Sequence, residues 1–296
     1  MSKIDVERSV SPTLRARSAG QTDIRRCLEL QDEAPRLSRL ARVLGHSPLH
    51  PDAVACYGEA IAAQETGRRL ASIRGGYSVL HSLPIGDGER ALQMEVEHLV
   101  IGPSGVFCLS SAPSVTAERL EAVAREARQL SKHLSRALQR VVPVTPLLVT
   151  VGSSDSKRGS ASAAASRDIP ARTSASAPAS LAAARPDPDV EVVSARALAN
   201  WFAKRGPVLT TAELVTLTLA AEQPATWNVP PEVLEGVAAL TVALADFEEL
   251  RIQVEDASDR ERVTLSVAVA VAVIVMLVSA AIIVSAASGL LRLAGF

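Results

Sequence analysis

His81 and His98 fall in two short apolar runs, SVLHS and EHLVI, and acids stand beside the second at Glu95 and Glu97. Two imidazoles with a carboxylate make a ligand set for a divalent transition metal. The commoner use of the same residues is one histidine packed in a sheet and another capping a turn. Ser110 and Ser111 follow His98, but no glycine pattern of a nucleophile elbow surrounds them, so acyl transfer is not indicated. Arg68, Arg69 and Arg74 give one helix end a positive charge suited to phosphate. Basic helix faces of this kind are more often simply solvated. Lysine is scarce, with only Lys3, Lys132, Lys157 and Lys204 in the chain.

Those residues need a scaffold, and the composition supplies one. The chain has 296 residues, of which 48% are hydrophobic, enough to bury a sizeable core. Lys and Arg number 31 against 32 Asp and Glu, a net charge of −1. That balance excludes polyanion binding by bulk charge, though not a local basic patch. Aromatics at 3% exclude stacking platforms for single strands as a main design. Cys27, Cys56 and Cys108 are too few and scattered for a disulfide framework or zinc knuckle, and reduced thiols are expected.

Residues 1–51 carry charges, Ser and Pro without sustained period, and read as a mobile arm with one or two helical turns between Ile24 and Val43. Residues 52–74 read as a helix. Three strands follow at 76–82, 94–101 and 106–111, with GPSG (102–105) as the tight turn between the last two. They make an antiparallel meander. Leu120, Val123, Ala127, Leu130, Leu134 and Leu138 recur at spacings of three and four, which predicts a helix over 116–140. The nearly all-apolar run 144–151 reads as a central strand. Residues 152–189 are Ser-, Ala- and Pro-rich with almost no large apolar side chain, and read as a disordered insertion. A strand at 190–193 and helices at 195–206 and 211–222 complete the domain, with Trp201, Phe202 and Trp227 as core anchors.

The last segments differ in kind. Val233, Val237, Leu240, Leu244, Phe247, Arg251 and Val254 form a heptad-like stripe on an amphipathic helix over 230–262. The stripe fits packing on the chain's own domain and pairing between chains about equally. Between Arg262 and Arg292 there is no charge at all. The apolar run 263–291 exceeds the roughly 20 helical residues that a bilayer core requires, and reads as a transmembrane helix. The opening MSKIDVERSV has no apolar stretch for a signal peptide. The expectation is a single-pass, tail-anchored protein of the cell membrane with its N-terminal domain on the cytoplasmic side.

The run QETGRRLASIRGGYSVLHSLPIGDGERALQMEVEHLVIGPSGVF (64–107) resembles the nuclease-related domain (NERD) family. Its most specific match is HLVIGPSGVF (98–107). PLLVTVG, VEVVSARALANWF and PATW (224–227) follow in the family's order. The resemblance implies a restriction-endonuclease-like α/β fold in 52–151 and 190–229: a mixed sheet flanked by helices, joined to the heptad-patterned helix and the transmembrane helix. It also implies phosphodiester hydrolysis with divalent metal, two strand carboxylates and a lysine two residues after the second.

Position by position the chemistry is depleted. Glu97 stands where the family has its first Asp, Ser110 where it has the second, and Ala112 where it has the lysine. The family's helix acid is matched by Glu65, or by Glu59. Ser is a poor metal ligand beside a carboxylate, and Ala cannot replace Lys. These positions are expected to be vestigial, with no catalytic residue, metal or cofactor. The functional expectation is a membrane protein whose nuclease-related domain acts in binding or assembly. A membrane-tethered metal-dependent nuclease and a structural coiled-coil membrane protein are the alternatives. Expected partners are the lipid bilayer, a protein partner or second copy through 233–254, and, weakly, nucleic acid.

Overall fold

Residues 106–112 are buried at every position, as a strand covered on both faces requires. In the computed structural model, which describes residues 14–33, 46–85, 95–152, 190–229 and 237–293, this strand is the centre of a five-stranded mixed sheet. Helices α1 (Gln21–Asp32) and α2 (Ala53–Ala71) precede it. Strands β1 (Ser78–Pro84), β2 (Glu95–Gly102) and β3 (Gly105–Ala112) form the antiparallel meander. Helix α3 (Ala117–Leu138) carries the chain to β4 (Val144–Thr150), which runs parallel to β3. Strand β5 (Glu191–Ser194) adds in parallel beside β4, giving the order β1-β2-β3-β4-β5. Helices α4 (Leu198–Ala203), α5 (Thr211–Glu222) and α6 (Val237–Leu293) follow.

Strand alternation sorts the core into two layers. Leu99, Ile101 and Cys108 face Ala127, Leu130 and Leu134 of α3, with Leu217, Ala221 and Trp227 beyond. Val100, Phe107, Leu109, Leu147 and Val149 face Leu70 of α2 and Leu198 and Phe202 of α4. The predicted stripe of α3 is thus its buried face. Thr116 caps that helix by accepting from the Arg119 N–H. Trp227 is fully buried and donates its indole N–H to the Ala221 carbonyl at 2.8 Å. Phe202 is buried, whereas Trp201 remains partly exposed. A Cβ on Gly102 would sit inside the Tyr77 ring, at 1.9 Å from its nearest atom. Glycine there lets the aromatic ring lie flat on the hairpin end.

The described N-terminal residues include the helical turns expected from Ile24 and extend them. Over 14–33 the chain forms a short 3₁₀ turn and a helix of 12 residues. Leu14, Ile24 and Cys27 are fully buried. Its apolar residues are sparse, so no long periodic stripe announces the helix, and Leu28 and Leu30 are only partly buried. The three cysteines are buried, and none forms a disulfide. The Ser-, Ala- and Pro-rich stretch lies, from residue 153 to 189, outside the described residues.

The chain falls into two compact units, Met1–Ile24 with Ala55–Thr241 and Arg25–Val54 with Val242–Phe296. The second is organised on α6. No Gly or Pro occurs from Val237 to Ser288, so nothing breaks the backbone ladder. The two helices read at 230–262 and 263–291 accordingly run as one helix of 57 residues. Leu240 and Phe247 of the stripe are buried, as are Leu250 and Ala257 beside it. Arg251, the charged member of the predicted stripe, pairs with Glu248 and Glu255 on its own helix at 3.1 Å each. From Val263 to Val278 the large apolar side chains are exposed. By length and composition α6 can cross a membrane.

Candidate functional site

The β2–β3 ladder ends at the pair His98↔Leu109, while β2 stays paired with β1 as far back as Glu95. Beyond that point β2 and β3 part, and a side chain takes over the role of a backbone partner. The Ser111 N–H donates to the Glu97 carboxylate at 2.7 Å. The Ser111 hydroxyl donates to Thr66 of α2 at 2.7 Å, both groups being buried. The second Glu97 oxygen lies 3.1 Å from His98 Nε2. The two atoms are close enough for an ion pair but not aligned for a hydrogen bond, and both are buried without a hydrogen-bond partner.

His98 turns its other nitrogen to His81, Nδ1 to Nδ1 at 2.8 Å, with the rings edge to face. One must donate and the other accept, so both cannot be fully protonated there. Burial first, then the neighbouring His98, lowers the His81 pKa to about 4, against a smaller opposing pull from Glu97. His81 is therefore neutral near pH 7. The histidine neighbours foreseen from sequence are in register, but as a hydrogen-bonded pair rather than a sheet filler and a turn cap. Glu97 meets one edge of His98 and His81 meets the other. The three make a line, not a chelate, and among the described residues no three His, Cys, Asp or Glu side chains are grouped to hold a metal.

Ser110 points to the opposite side, where its hydroxyl donates to Glu126 of α3 at 3.0 Å. Burial raises the Glu126 pKa to about 7. The Ser110 hydrogen bond opposes the rise, the charge of Glu97 adds to it, and Arg119 and Arg125 offset part of it. Cys108 lies beside the same carboxylate, and burial with the two acids pushes its thiol well up. Sequence reasoning missed Glu126. The signal was present: it sits three residues after Val123 and four before Leu130, at the edge of the buried stripe.

The open space lies elsewhere. At the C-terminal ends of the parallel strands, Thr150 and Ser194 face the C-terminal half of α2 across a cavity of about 580 Å³. Glu65, Arg68, Arg69 and Arg196 supply its charged lining. Glu65 pairs with Arg68 at 2.6 Å and with Arg69 at 2.8 Å. Three guanidinium groups against one carboxylate leave the cavity positive. Ligands of α/β sheets characteristically bind at this end of the strands.

Of the positions carried over from the family resemblance, Glu65 alone lines this cavity. Glu97 is tied to Ser111 and His98, and Ser110 to Glu126. Ala112 is buried, its carbonyl accepting the Val151 N–H at 3.0 Å. Glu59 pairs with Arg119. Arg74 lies beyond the end of α2, exposed. Neither Lys132, exposed on α3, nor Lys204, the C-cap of α4, lines the cavity. The residues therefore do not fit the two-carboxylate metal site that a nuclease would need. No family model, no curated protein and no solved structure matches the chain.

Proposed function

We propose that this is a membrane-anchored protein whose α/β unit is a nuclease-related module without catalytic activity, which binds an anionic, phosphate-bearing ligand in the Arg68–Arg69–Arg196 cavity. The order helix, three-stranded meander, helix, parallel strand supports the restriction-endonuclease-like reading, as does the parting of β2 and β3 at Glu97. The apolar part of α6 supports a single membrane span. We place the α/β unit on the cytoplasmic side, as the sequence expectation has it.

The observation that carries the proposal is the commitment of Glu97. Its carboxylate satisfies the Ser111 N–H in the gap between the strands, while Ser110 and Ala112 bring no second strand carboxylate and no lysine. Phosphodiester hydrolysis needs charge placed at the developing transition state, and Glu97, Ser110 and Ala112 supply one carboxylate and no lysine. The cavity charges, by contrast, suit a ligand that is held and not cut. Arg68 and Arg69 are exposed and flexible enough to leave Glu65 for a phosphate oxygen.

Purified full-length protein should show no Mg²⁺- or Mn²⁺-dependent cleavage of DNA or RNA. It should bind pyrophosphate or a short oligonucleotide in a salt-sensitive manner, with affinity falling about tenfold or more in R68Q/R69Q. Glu65→Gln should raise the affinity by freeing both guanidinium groups. Turnover that vanishes on Glu97→Ala would overturn the non-catalytic reading; binding indifferent to both R68Q/R69Q and Glu65→Gln would overturn the cavity assignment.

A further inference from the structure

Helix α6 fixes the depth of its own side chains. Its uncharged run begins at Val263, and the helix is continuous across that point. At 1.5 Å per residue, Arg260 stands about 4–5 Å and Asp256 about 10 Å outside the apolar boundary. Headgroups fill roughly the first 5–7 Å on each side of the hydrocarbon, so Arg260 lies within that layer and Asp256 just outside it, one helical turn farther from the span. In the second unit a cavity of about 300 Å³ opens at this level, lined by His46, Pro48, Gln253, Asp256, Ala257 and Arg260. Buried Ala257 gives it a small-residue wall. Asp256 and Arg260 lie one helical turn apart with 3.8 Å between their charged atoms. Exposed pairs of this kind are weakly held, so a ligand carrying both charges can replace the partner of each.

We propose that this cavity binds the headgroup of a phosphatidylethanolamine-type lipid, its phosphate on Arg260 and its primary ammonium on Asp256. The order of the charges selects the ligand. In such a lipid the phosphate lies next to the acyl chains and the ammonium farther out. Arg260 is the nearer of the two residues to the span, and Asp256 the farther. A glycerol headgroup offers Asp256 no cation. A quaternary ammonium has no N–H to donate to a carboxylate, and among the described residues no Trp, Tyr or Phe lines the cavity to receive it by cation–π contact. Gln253, whose amide donates to Glu249 at 3.3 Å, and His46 are the other polar side chains of the lining. The inference rests on the membrane-anchored reading of α6.

The test uses the full-length protein in mild detergent, doped in turn with phosphatidylethanolamine, phosphatidylcholine and phosphatidylglycerol at equal fraction. Lipids retained per chain are counted by native mass spectrometry. Phosphatidylethanolamine should be retained about fivefold over the other two, and D256N/R260Q should lose that preference. Soluble phosphoethanolamine should compete, and inorganic phosphate should not. Equal retention of the three lipids, a preference unchanged in the double variant, or displacement by phosphate alone would overturn the proposal. So would a phosphatidylglycerol preference that depends on Arg260 only. Both positions are exposed, and helix content by circular dichroism checks that the variants stay folded. If instead the full-length chain stays in the high-speed supernatant without detergent, it is the anchor reading that fails.

Discussion

The two ends of the molecule spend their polar groups in opposite ways. In the α/β unit, chemistry-bearing side chains are drawn inward and consumed by structure: Glu97 by Ser111 and His98, Ser110 by Glu126, His81 by His98. In α6 after Arg262, hydroxyls are almost the only polar side-chain groups, and they bond back to the helix. Thr264, Ser266 and Ser279 each donate to the carbonyl four residues earlier at 2.8 Å. The polar side chains named in the first region take partners set by tertiary packing. The exposed hydroxyls of the second take partners set by helix geometry alone. The lesson is that composition suffices for a physical role where the backbone satisfies itself, and fails where side chains must find each other across the sheet.

The largest effect tests the α6 side of this contrast. Deleting 263–296 should transfer the protein completely from the membrane pellet to the soluble fraction, because 29 uncharged residues no longer seek lipid. A full-length chain that needs no detergent would break the comparison at its base.

Trp227 tests the other region next. It is fully buried and its N–H is satisfied within the unit. Trp227→Ala should cost about 3–5 kcal/mol in denaturant unfolding of the soluble part, with membrane partition untouched. An effect below 1 kcal/mol would mean that the closing turn is peripheral to the core.

The smallest effect is the sharpest, because it reads the inward-drawn acids directly. Glu126 has a folded pKa of about 7 against an ordinary 4.5. The folded state holds the proton more tightly, so this group costs nothing below pH 4.5 and destabilises increasingly as pH rises to 7. Glu126→Gln should therefore stabilise by on the order of 1–3 kcal/mol at pH 8, with the gain shrinking toward zero at pH 4.5. His81 works with the opposite sign. Its folded pKa of about 4, against 6.5, leaves its full contribution above pH 6.5, lost as pH falls through 4. The two slopes oppose each other between pH 4.5 and 6.5. Wild type should be flatter there than Glu126→Gln, whose stability should climb with pH. Parallel profiles would show that Glu126 is not buried as drawn.

Much of the fold was legible because its signals are local and periodic. The hairpin at 102–105, the all-apolar strand before Val151 and the stripe of α3 each follow from a period of 2 or 3.6. The helix at 21–32 was legible only as one or two turns from Ile24, since isolated apolar residues such as Ile24 and Cys27 carry no long period until a core receives them. The candidate site divides the same way. Glu65, Arg68 and Arg69 could be picked out as neighbours on one helix, and they share one cavity. Arg196 comes from another part of the chain, and only the sheet brings it there.

Sequence alone determined the meander, the helix and apolar strand that follow it and an apolar helix able to span a bilayer, because each is written in consecutive residues with nothing distant to consult. Tertiary structure decided that Glu97 fills the gap between β2 and β3, that Ser110 faces a carboxylate from α3, and that His81 and His98 hold one proton between them. It also ran 237–293 as a single helix, setting Asp256 and Arg260 at fixed heights above the apolar run. The physical reason is one of range. Backbone periodicity acts over a few residues, whereas the charge and solvation of a buried side chain depend on whichever distant residue the fold sets against it.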